Sequence, residues 1–275
     1  MKPLSELYDF TGRTIVMTGG TGVLGREMAL TLAASGANIA LLSRDPSKSG
    51  ALMEELAKQK GTCVILKADV LDKNALERAA AEIVGKFRTI DCLVNGAGGN
   101  SPKATTNKEQ SFFQIKEDDL KYVAELNLLG TILPSQVFGK LMAARKEGVI
   151  LNITSVNADR PLTRIPAYSS AKAAVANFTR WLAVHMAQEY SPTIRVNAIS
   201  PGFFLTEQNR FLLTERDTGN LTERGTKIIA HTPMGRFGNP EDLMGAVLWL
   251  LSPASNFVTG VVLPVDGGFG AYSGV

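Results

Sequence analysis

The sequence predicts an α/β fold, a single-domain, doubly wound parallel sheet of about seven strands with helices on both faces. Three observations predict it. Strand-length apolar runs at 14–18, 38–43, 62–67, 90–94, 149–154, 194–199 and 260–264 are rich in Val, Ile and Leu. They show little polar alternation, as expected of strands covered on both faces. Helical patterns fall between them, at 24–34, 47–59, 73–86, 118–145, 167–188 and 240–251. No linker, repeat or low-complexity tract interrupts this alternation, so it reads as successive βαβ units. Right-handed crossovers then favour a Rossmann-type sheet.

Composition narrows the possibilities. The 275 residues suit one large domain or two small ones. Lys plus Arg number 29 and Asp plus Glu 26, a net charge of +3, too weak to argue for a nucleic-acid partner. A hydrophobic share of 45% with 20% charged residues excludes a disordered chain. Cys63 and Cys92 lie in apolar runs and cannot build a disulfide framework or a four-ligand zinc site. Two histidines, His185 and His231, leave little for a His-based triad, and no metal is expected. Trp181 and Trp249 sit on helical apolar faces and are expected in the core or at a subunit interface.

Residues 1–10 lack a long apolar core, so no signal peptide is expected. The stretch 243–265 carries no charge over 23 residues, about the length of a membrane span. Ser252, Pro253, Asn256, Gly260 and Pro264 interrupt it, so a helix, a turn and a strand are expected there. The protein is expected to be soluble and cytoplasmic, with no membrane contact. Two segments depart from the strand–helix rhythm. Residues 99–116 are polar and turn-rich, and 203–236 are long and mixed. Both follow strand C-terminal ends, where open α/β sheets bind ligands, and 203–236 is expected to act as a substrate lid.

The first strand runs into Thr18, Gly19, Gly20, Thr21, Gly22, Val23, Leu24 and Gly25. Gly20, Gly22 and Gly25 spell G-x-G-x-x-G between a strand and a helix, which predicts a dinucleotide with its pyrophosphate at the helix N-terminus. The second strand ends at Ser43, Arg44 and Asp45, and Ser43 lies 18 residues past Gly25. A hydroxyl and a guanidinium there suit a 2′-phosphate, so NADP is expected to be preferred, with NAD possible. Asp45 is the competing feature, an acid able to take a free 2′-OH.

The strand at 149–154 delivers Ser155; Tyr168 follows thirteen residues later and Lys172 four after that. Tyr168 and Lys172 at i, i+4 share a helix face. A phenol with an ordinary pKa near 10 is a poor base at pH 7. A nearby ammonium and a cationic nicotinamide favour the phenolate. Such a phenol can exchange a proton with a hydroxyl/carbonyl pair while hydride moves.

With these residues in view, the chain resembles the short-chain dehydrogenase/reductase family over essentially its whole length. The likeness is carried by 18–25, Asp69 and Val70, Asn95-Gly96-Ala97-Gly98, Asn127, Ser155, Tyr168 to Lys172, Pro201-Gly202 and Asp266 to Gly268. The resemblance implies Tyr168 as acid/base, Lys172 as the residue that lowers its pKa and holds the nicotinamide ribose, and Ser155 as the orienter of the substrate oxygen. It implies that Asn127 keeps a helix bend and a relay water. Asp69 and Val70 would contact adenine, Asn95, Gly96, Ala97 and Gly98 would line the cofactor with Pro201 and Gly202, and Thr206 would hold the carboxamide. The family also implies a homotetramer, with 118–145 and 167–188 paired in one interface. Two departures stand out: Val23 occupies the position of the family's middle loop glycine, so Gly22 is expected to supply the close approach, and Asn95-Gly96 replaces the commoner Asn-Asn.

Segments 98–103, 157–162, 201–210 and 233–237 are most similar to family members acting on sugar acids, the D-mannonate/D-fructuronate oxidoreductases and gluconate 5-dehydrogenases. Loop residues Asn100, Lys103, Arg160, Arg164, Gln208, Asn209 and Arg210 offer cations for a carboxylate and amides for hydroxyls. Asn100, Ser155, Arg160, Arg164, Gln208 and Arg210 are thus the expected substrate residues. A 3-oxoacyl-thioester reductase and a non-catalytic dinucleotide sensor are the alternatives of other kinds.

Overall fold

The structure, a computed structural model, describes residues 3–205, 213–215 and 218–274. Seven strands, β1 (Thr14–Thr18), β2 (Asn38–Ser43), β3 (Cys63–Lys67), β4 (Cys92–Asn95), β5 (Gly148–Ile153), β6 (Ile194–Pro201) and β7 (Val262–Val265), form one sheet in the order β3-β2-β1-β4-β5-β6-β7. Every pairing is parallel. The helices around it are α1 (Leu4–Leu7), α2 (Val23–Ala34), α3 (Gly50–Leu56), α4 (Lys73–Phe87), α5 (Glu117–Ala124), α6 (Gly130–Arg145), α7 (Pro166–Glu189), α8 (Glu223–Ala230) and α9 (Met244–Leu251).

The strand runs lack polar alternation because both faces are covered. Ile15 and Met17 of β1 face one core, with Met28 and Leu32 of α2, Leu56 of α3 and Val247 of α9. Val16, between them, faces the other, with Leu76 of α4, Phe138 of α6 and Met186 of α7. Each fully buried Leu, Ile, Phe or Met contributes roughly 1.5–3 kcal/mol over its exposed state. The strand order reverses between β1 and β4. This switch point opens a crevice at the strand C-terminal ends, and it receives the residues after β1, β4 and β5.

Three helical expectations are corrected. The 47–59 pattern divides into a 3-10 turn, Pro46–Ser49, and α3, which starts at Gly50. The 240–251 pattern begins as a 3-10 turn, Pro240–Leu243, before α9. The 118–145 pattern is broken by a π-helical turn, Glu125–Leu129, between α5 and α6. One inserted residue barely disturbs the apolar period, which is why a single long helix reads through it. Stretch 243–265 resolves into α9, a 3-10 turn at Pro253–Ser255 and β7, and no described helix is long and apolar enough to cross a membrane.

Arg195 is a buried cation within β6. Its Nη1 donates to Leu250 O at 2.9 Å and Ser255 Oγ at 3.0 Å, and its Nη2 to Ser252 O at 3.0 Å. The guanidinium therefore caps the carbonyl end of α9, where a positive charge is favoured. Trp249 is partly buried against the core, whereas Trp181 on α7 is 56% exposed.

Candidate active site

The turn from β1 into α2 is built on contacts that admit no side chain. Gly19 has φ +68°, and a Cβ there would lie 2.3 Å from Gly96 O. A Cβ on Gly25 would lie 2.1 Å from Gly19 O, so α2 can seat against the turn only with glycine at that position. The tight approaches within the protein thus fall on Gly19 and Gly25. Gly22, the N-cap of α2, has nothing closer than 3.4 Å to a Cβ and lines the cleft instead. It brings no side-chain cap, which leaves the first-turn N–H groups of α2 for an anion. Gly20, Val23 and Leu24 lie behind: a Cβ on Gly20 would strike Leu41, Val23 opens α2, and Leu24 packs on the core. Thr18 fastens the turn to the end of β4, its Oγ1 accepting from the N–H of Gly96 at 3.2 Å and of Ala97 at 3.1 Å.

A cleft of about 530 Å³ runs from this turn past Thr21, Ser43 and Arg44 to Val70 and Gly96, Ala97 and Gly98. Arg44 is exposed at its edge, and Lys48, not anticipated from sequence, is a second cation there. Asp45 is already engaged: it accepts from Ser47 Oγ at 2.5 Å and pairs with Lys48 at 3.2 Å. The Ser47 hydrogen bond, then Lys48, holds its carboxyl below the usual range. Ser43 Oγ accepts from the Asp45 N–H at 3.2 Å. Asp69 Oδ1 accepts from the Leu71 N–H at 3.0 Å and so shapes the turn that presents Val70. Asn95 faces elsewhere. It is buried, and its Nδ2 donates to Ser135 Oγ and Asn152 Oδ1, both at 2.9 Å, so it ties β4 to α6 and β5. Pro201 ends β6, and the Gly202 N–H donates to Val265 O at 3.0 Å.

The far side of the crevice carries the polar cluster. Ser155 follows β5 and is buried, its Oγ accepting from Asn157 Nδ2 at 3.1 Å. Asn157 Oδ1 accepts in turn from Ser169 Oγ at 3.2 Å. This Asn157–Ser169 brace was missed as a site feature. Its only sequence signal is that both residues flank the Ser155 and Tyr168 positions. Pro166 opens α7 and places Tyr168 in the first turn. Burial raises the Tyr168 phenol above its ordinary pKa, and a hydrogen bond with Ser155 opposes the rise. Lys172, one turn on, is buried, with Nζ 5.7 Å from the Tyr168 ring centre and donating to Ile153 O at 2.8 Å. Burial lowers its pKa to about 8.

Asn127 lies in the π turn, fully buried. Its Oδ1 accepts from the Gly99 N–H at 3.1 Å, and its Nδ2 donates to Gly99 O at 2.7 Å and Val123 O at 2.8 Å. A Cβ on Gly98 would come within 2.6 Å of Asn127 Oδ1 and 3.2 Å of Lys172 Nζ. Gly98 therefore brings the loop after β4, the π turn and α7 to one point.

The expected substrate residues are scattered more widely. Asn100 is exposed and donates to Thr105 Oγ1 at 2.8 Å, and Lys103 is exposed. Arg160 Nε donates to Gly270 O at 3.1 Å and so tethers the C-terminal segment. Arg164 lines a pocket of about 280 Å³ with Phe203, Glu223, Arg224 and Lys227. Thr206, Gln208, Asn209 and Arg210 lie outside the described residues. No cluster of metal-ligating side chains occurs among the described residues.

This fold and cleft define an oxidoreductase of the dinucleotide-binding α/β class. The sequence profile described as enoyl-(acyl carrier protein) reductase matches residues 21–270, and the chain belongs to the short-chain dehydrogenase/reductase family. It is 49% identical over 284 residues to the Bacillus subtilis (strain 168) protein named "Uncharacterized oxidoreductase UxuB", covering 100% of both chains. Among solved structures it is similar to a provisionally named D-mannonate oxidoreductase from Haemophilus influenza with bound NAD. That match has a TM-score of 0.92 at 43% identity and covers 99% of this chain and 100% of the other. It is also similar to a gluconate 5-dehydrogenase from Burkholderia cenocepacia J2315 in complex with NADP and tartrate (TM-score 0.83, 30% identity, 98% and 99% covered).

The protein is thus an oxidoreductase acting on CH–OH groups with a nicotinamide cofactor. The residues present fit that cofactor: a cleft at the switch point, and a side-chain-free helix start at Gly22, which lines that cleft, for the pyrophosphate.

Proposed function

We propose that the protein interconverts a secondary hydroxyl and a ketone on a six-carbon sugar acid, with D-mannonate/D-fructuronate the leading pair. The observation that carries this is the Ser155–Tyr168–Lys172 cluster, together with a pocket that residues 162–165, just before α7, help to line and that holds three cations, Arg164, Arg224 and Lys227. The names of two structural relatives support the substrate class.

When bound, the nicotinamide ring takes or gives the hydride. The chain's own residues handle the oxygen and its proton. Ser155 Oγ, held by Asn157, hydrogen-bonds the reacting oxygen and fixes it beside Tyr168. Tyr168 Oη gives its proton to the ketone oxygen on reduction and takes the hydroxyl proton on oxidation. The raised pKa leaves the phenol neutral at pH 7, ready to donate. Lys172 supplies the positive charge that makes the phenolate accessible in the reverse direction. Asn127, by holding both polar groups of Gly99, keeps the loop after β4 at the correct height for that exchange.

Thr21, Gly22, Gly96, Ala97 and Gly98 would hold the dinucleotide, with Val70 against adenine and Lys172 on the ribose. Arg44 and Ser43 at the cleft edge favour NADP(H), because Asp45 is occupied by Ser47 and Lys48. Residues 203–236, which contribute Phe203 and α8 to the pocket, act as the substrate lid. Four such chains form a homotetramer in this reading.

Steady-state assays of D-fructuronate, 5-ketogluconate and an acetoacetyl thioester with both nicotinamide cofactors test the reading. The highest kcat/KM is expected on D-fructuronate. Preference for 5-ketogluconate would keep the class and change the member, and preference for the thioester would overturn the sugar-acid reading.

A further inference from the structure

The 280 Å³ pocket lined by residues 162–165, the loop that leads into α7, has an unusual charge content. Its lining includes three cations, Arg164, Arg224 and Lys227, and one carboxylate, Glu223. Lys227 and Glu223 pair with each other at 2.6 Å on consecutive turns of α8. Glu223 also feels the Arg164 charge, and the pocket holds one carboxylate among three cations, a surplus of two positive charges. Arg164 and Arg224 are both exposed, and the fold positions the backbone that carries each. The backbone of Arg164 is pinned from the 99–116 segment, Thr106 N–H donating to Arg164 O at 2.9 Å. Arg224 rides the first turn of α8, which is capped by Thr222 Oγ1 accepting from Gly225 N–H at 3.0 Å. Gly225 sits so close to Leu213 that a Cβ would be 2.2 Å from its carbonyl oxygen.

We propose that Arg164 and Arg224 form a two-arginine clamp for the carboxylate of the sugar acid, and so decide that the enzyme takes acids rather than neutral polyols. The proposal rests on the functional reading above and assigns its charge recognition. Two guanidiniums sharing a pocket repel, and a carboxylate between them turns that repulsion into two charge-assisted pairs of matching planar geometry. The repulsion is present: burial first, and then the Arg164 charge, lowers the Arg224 pKa. Both groups stay charged at physiological pH. The pocket is smaller than the roughly 300–1,000 Å³ of drug-sized sites, a scale that suits a small acid. Arg164 precedes Tyr168 by four residues, on the loop that leads into α7, where the clamp takes the carboxylate end of the ligand. Arg224 carried no signal in sequence, because nothing local marks an arginine on an amphipathic helix as facing a pocket.

Calorimetric titration of the enzyme–cofactor complex with D-mannonate and with D-mannitol tests the clamp. The two ligands differ by a carboxylate in place of a hydroxymethyl group. Wild type is expected to bind D-mannonate at least tenfold more tightly. A charged hydrogen bond contributes about 1.5–3 kcal/mol, so Arg164→Gln and Arg224→Gln should each weaken D-mannonate binding roughly 10–100-fold and leave D-mannitol nearly unchanged. Unaltered cofactor affinity, read by nicotinamide fluorescence, shows that the variants are folded. If wild type prefers D-mannonate and both variants keep that preference, the clamp is overturned while the sugar-acid reading stands. If wild type shows no preference for the acid, the sugar-acid reading falls and the clamp with it.

Discussion

Lys172 and Ile153 are joined by a hydrogen bond of 2.8 Å from the buried ammonium of α7 to the carbonyl at the end of β5. It is the only hydrogen bond recorded for that ammonium among the described residues, and burial lowers the Lys172 pKa to about 8 from an ordinary 10.5. Holding a charge there costs on the order of 3 kcal/mol at pH 7. Between about pH 8 and 10.5 the unfolded chain binds more protons at this residue than the folded one, so stability rises with pH across that window. The penalty is full below about pH 8 and gone above 10.5. Lys172→Met should therefore unfold at a higher temperature than wild type at pH 7 while losing activity, and its advantage should shrink towards pH 10. Thermal melts at pH 7 and 10 check this; a variant less stable at pH 7 would mean that the ammonium is compensated elsewhere.

The glycine turn separates two roles that the motif merges. Gly25→Ala drives a Cβ to 2.1 Å from a backbone oxygen, whereas Gly22→Ala meets nothing closer than 3.4 Å. Overpacking of this kind costs about 1–3 kcal/mol. Gly25→Ala should lower stability and cofactor binding together; Gly22→Ala should leave stability nearly intact. Urea unfolding with cofactor titration tells them apart, and equal stability losses would contradict the assignment.

Cofactor choice follows from the cleft edge. NADP(H) should bind more tightly than NAD(H) by roughly 10–100-fold, the range of one charged hydrogen bond. Arg44→Ala should remove most of that difference. Fluorescence titration of both cofactors decides it. Equal or tighter NAD(H) binding by wild type would make Asp45 the selector despite its contacts with Ser47 and Lys48.

Helix α7 exposes Trp181 and Val184 beside the stacked rings of Phe178 and His185. A homotetramer would cover this face, and light scattering should give four times the chain mass at micromolar concentration. Trp181→Arg should shift the population to smaller species. A wild-type monomer under those conditions would contradict the assembly.

Much of this architecture could be read from the residues, for identifiable reasons. Strands β1 and β2 match their expected bounds, because two-sided burial fills their interiors with apolar residues and leaves the polar ones, Thr14, Thr18, Asn38 and Ser43, at the strand ends. The Ser155, Tyr168 and Lys172 positions were legible because their chemistry fixes their spacing. The π turn at Glu125–Leu129 was not, since one inserted residue leaves the helical period almost unchanged. Arg195 and Arg224 fail to stand out, for a different reason: a cation in a strand or on a helix shows in sequence only as charge. Their neighbours, the carbonyl end of α9 and Arg164, come from residues 55–60 positions away in the first case and 60 in the second.

The central claim is that Tyr168 carries the proton. Tyr168→Phe removes one oxygen and leaves the ring, the Lys172 contact and the cleft in place. The most direct measurement is D-mannonate oxidation by this variant beside wild type, with cofactor affinity measured on the same preparations. The account predicts unchanged cofactor binding and a fall in kcat of about 10²–10⁴-fold, the usual contribution of a positioned acid/base. A variant retaining more than about a tenth of wild-type kcat would mean that another group moves the proton.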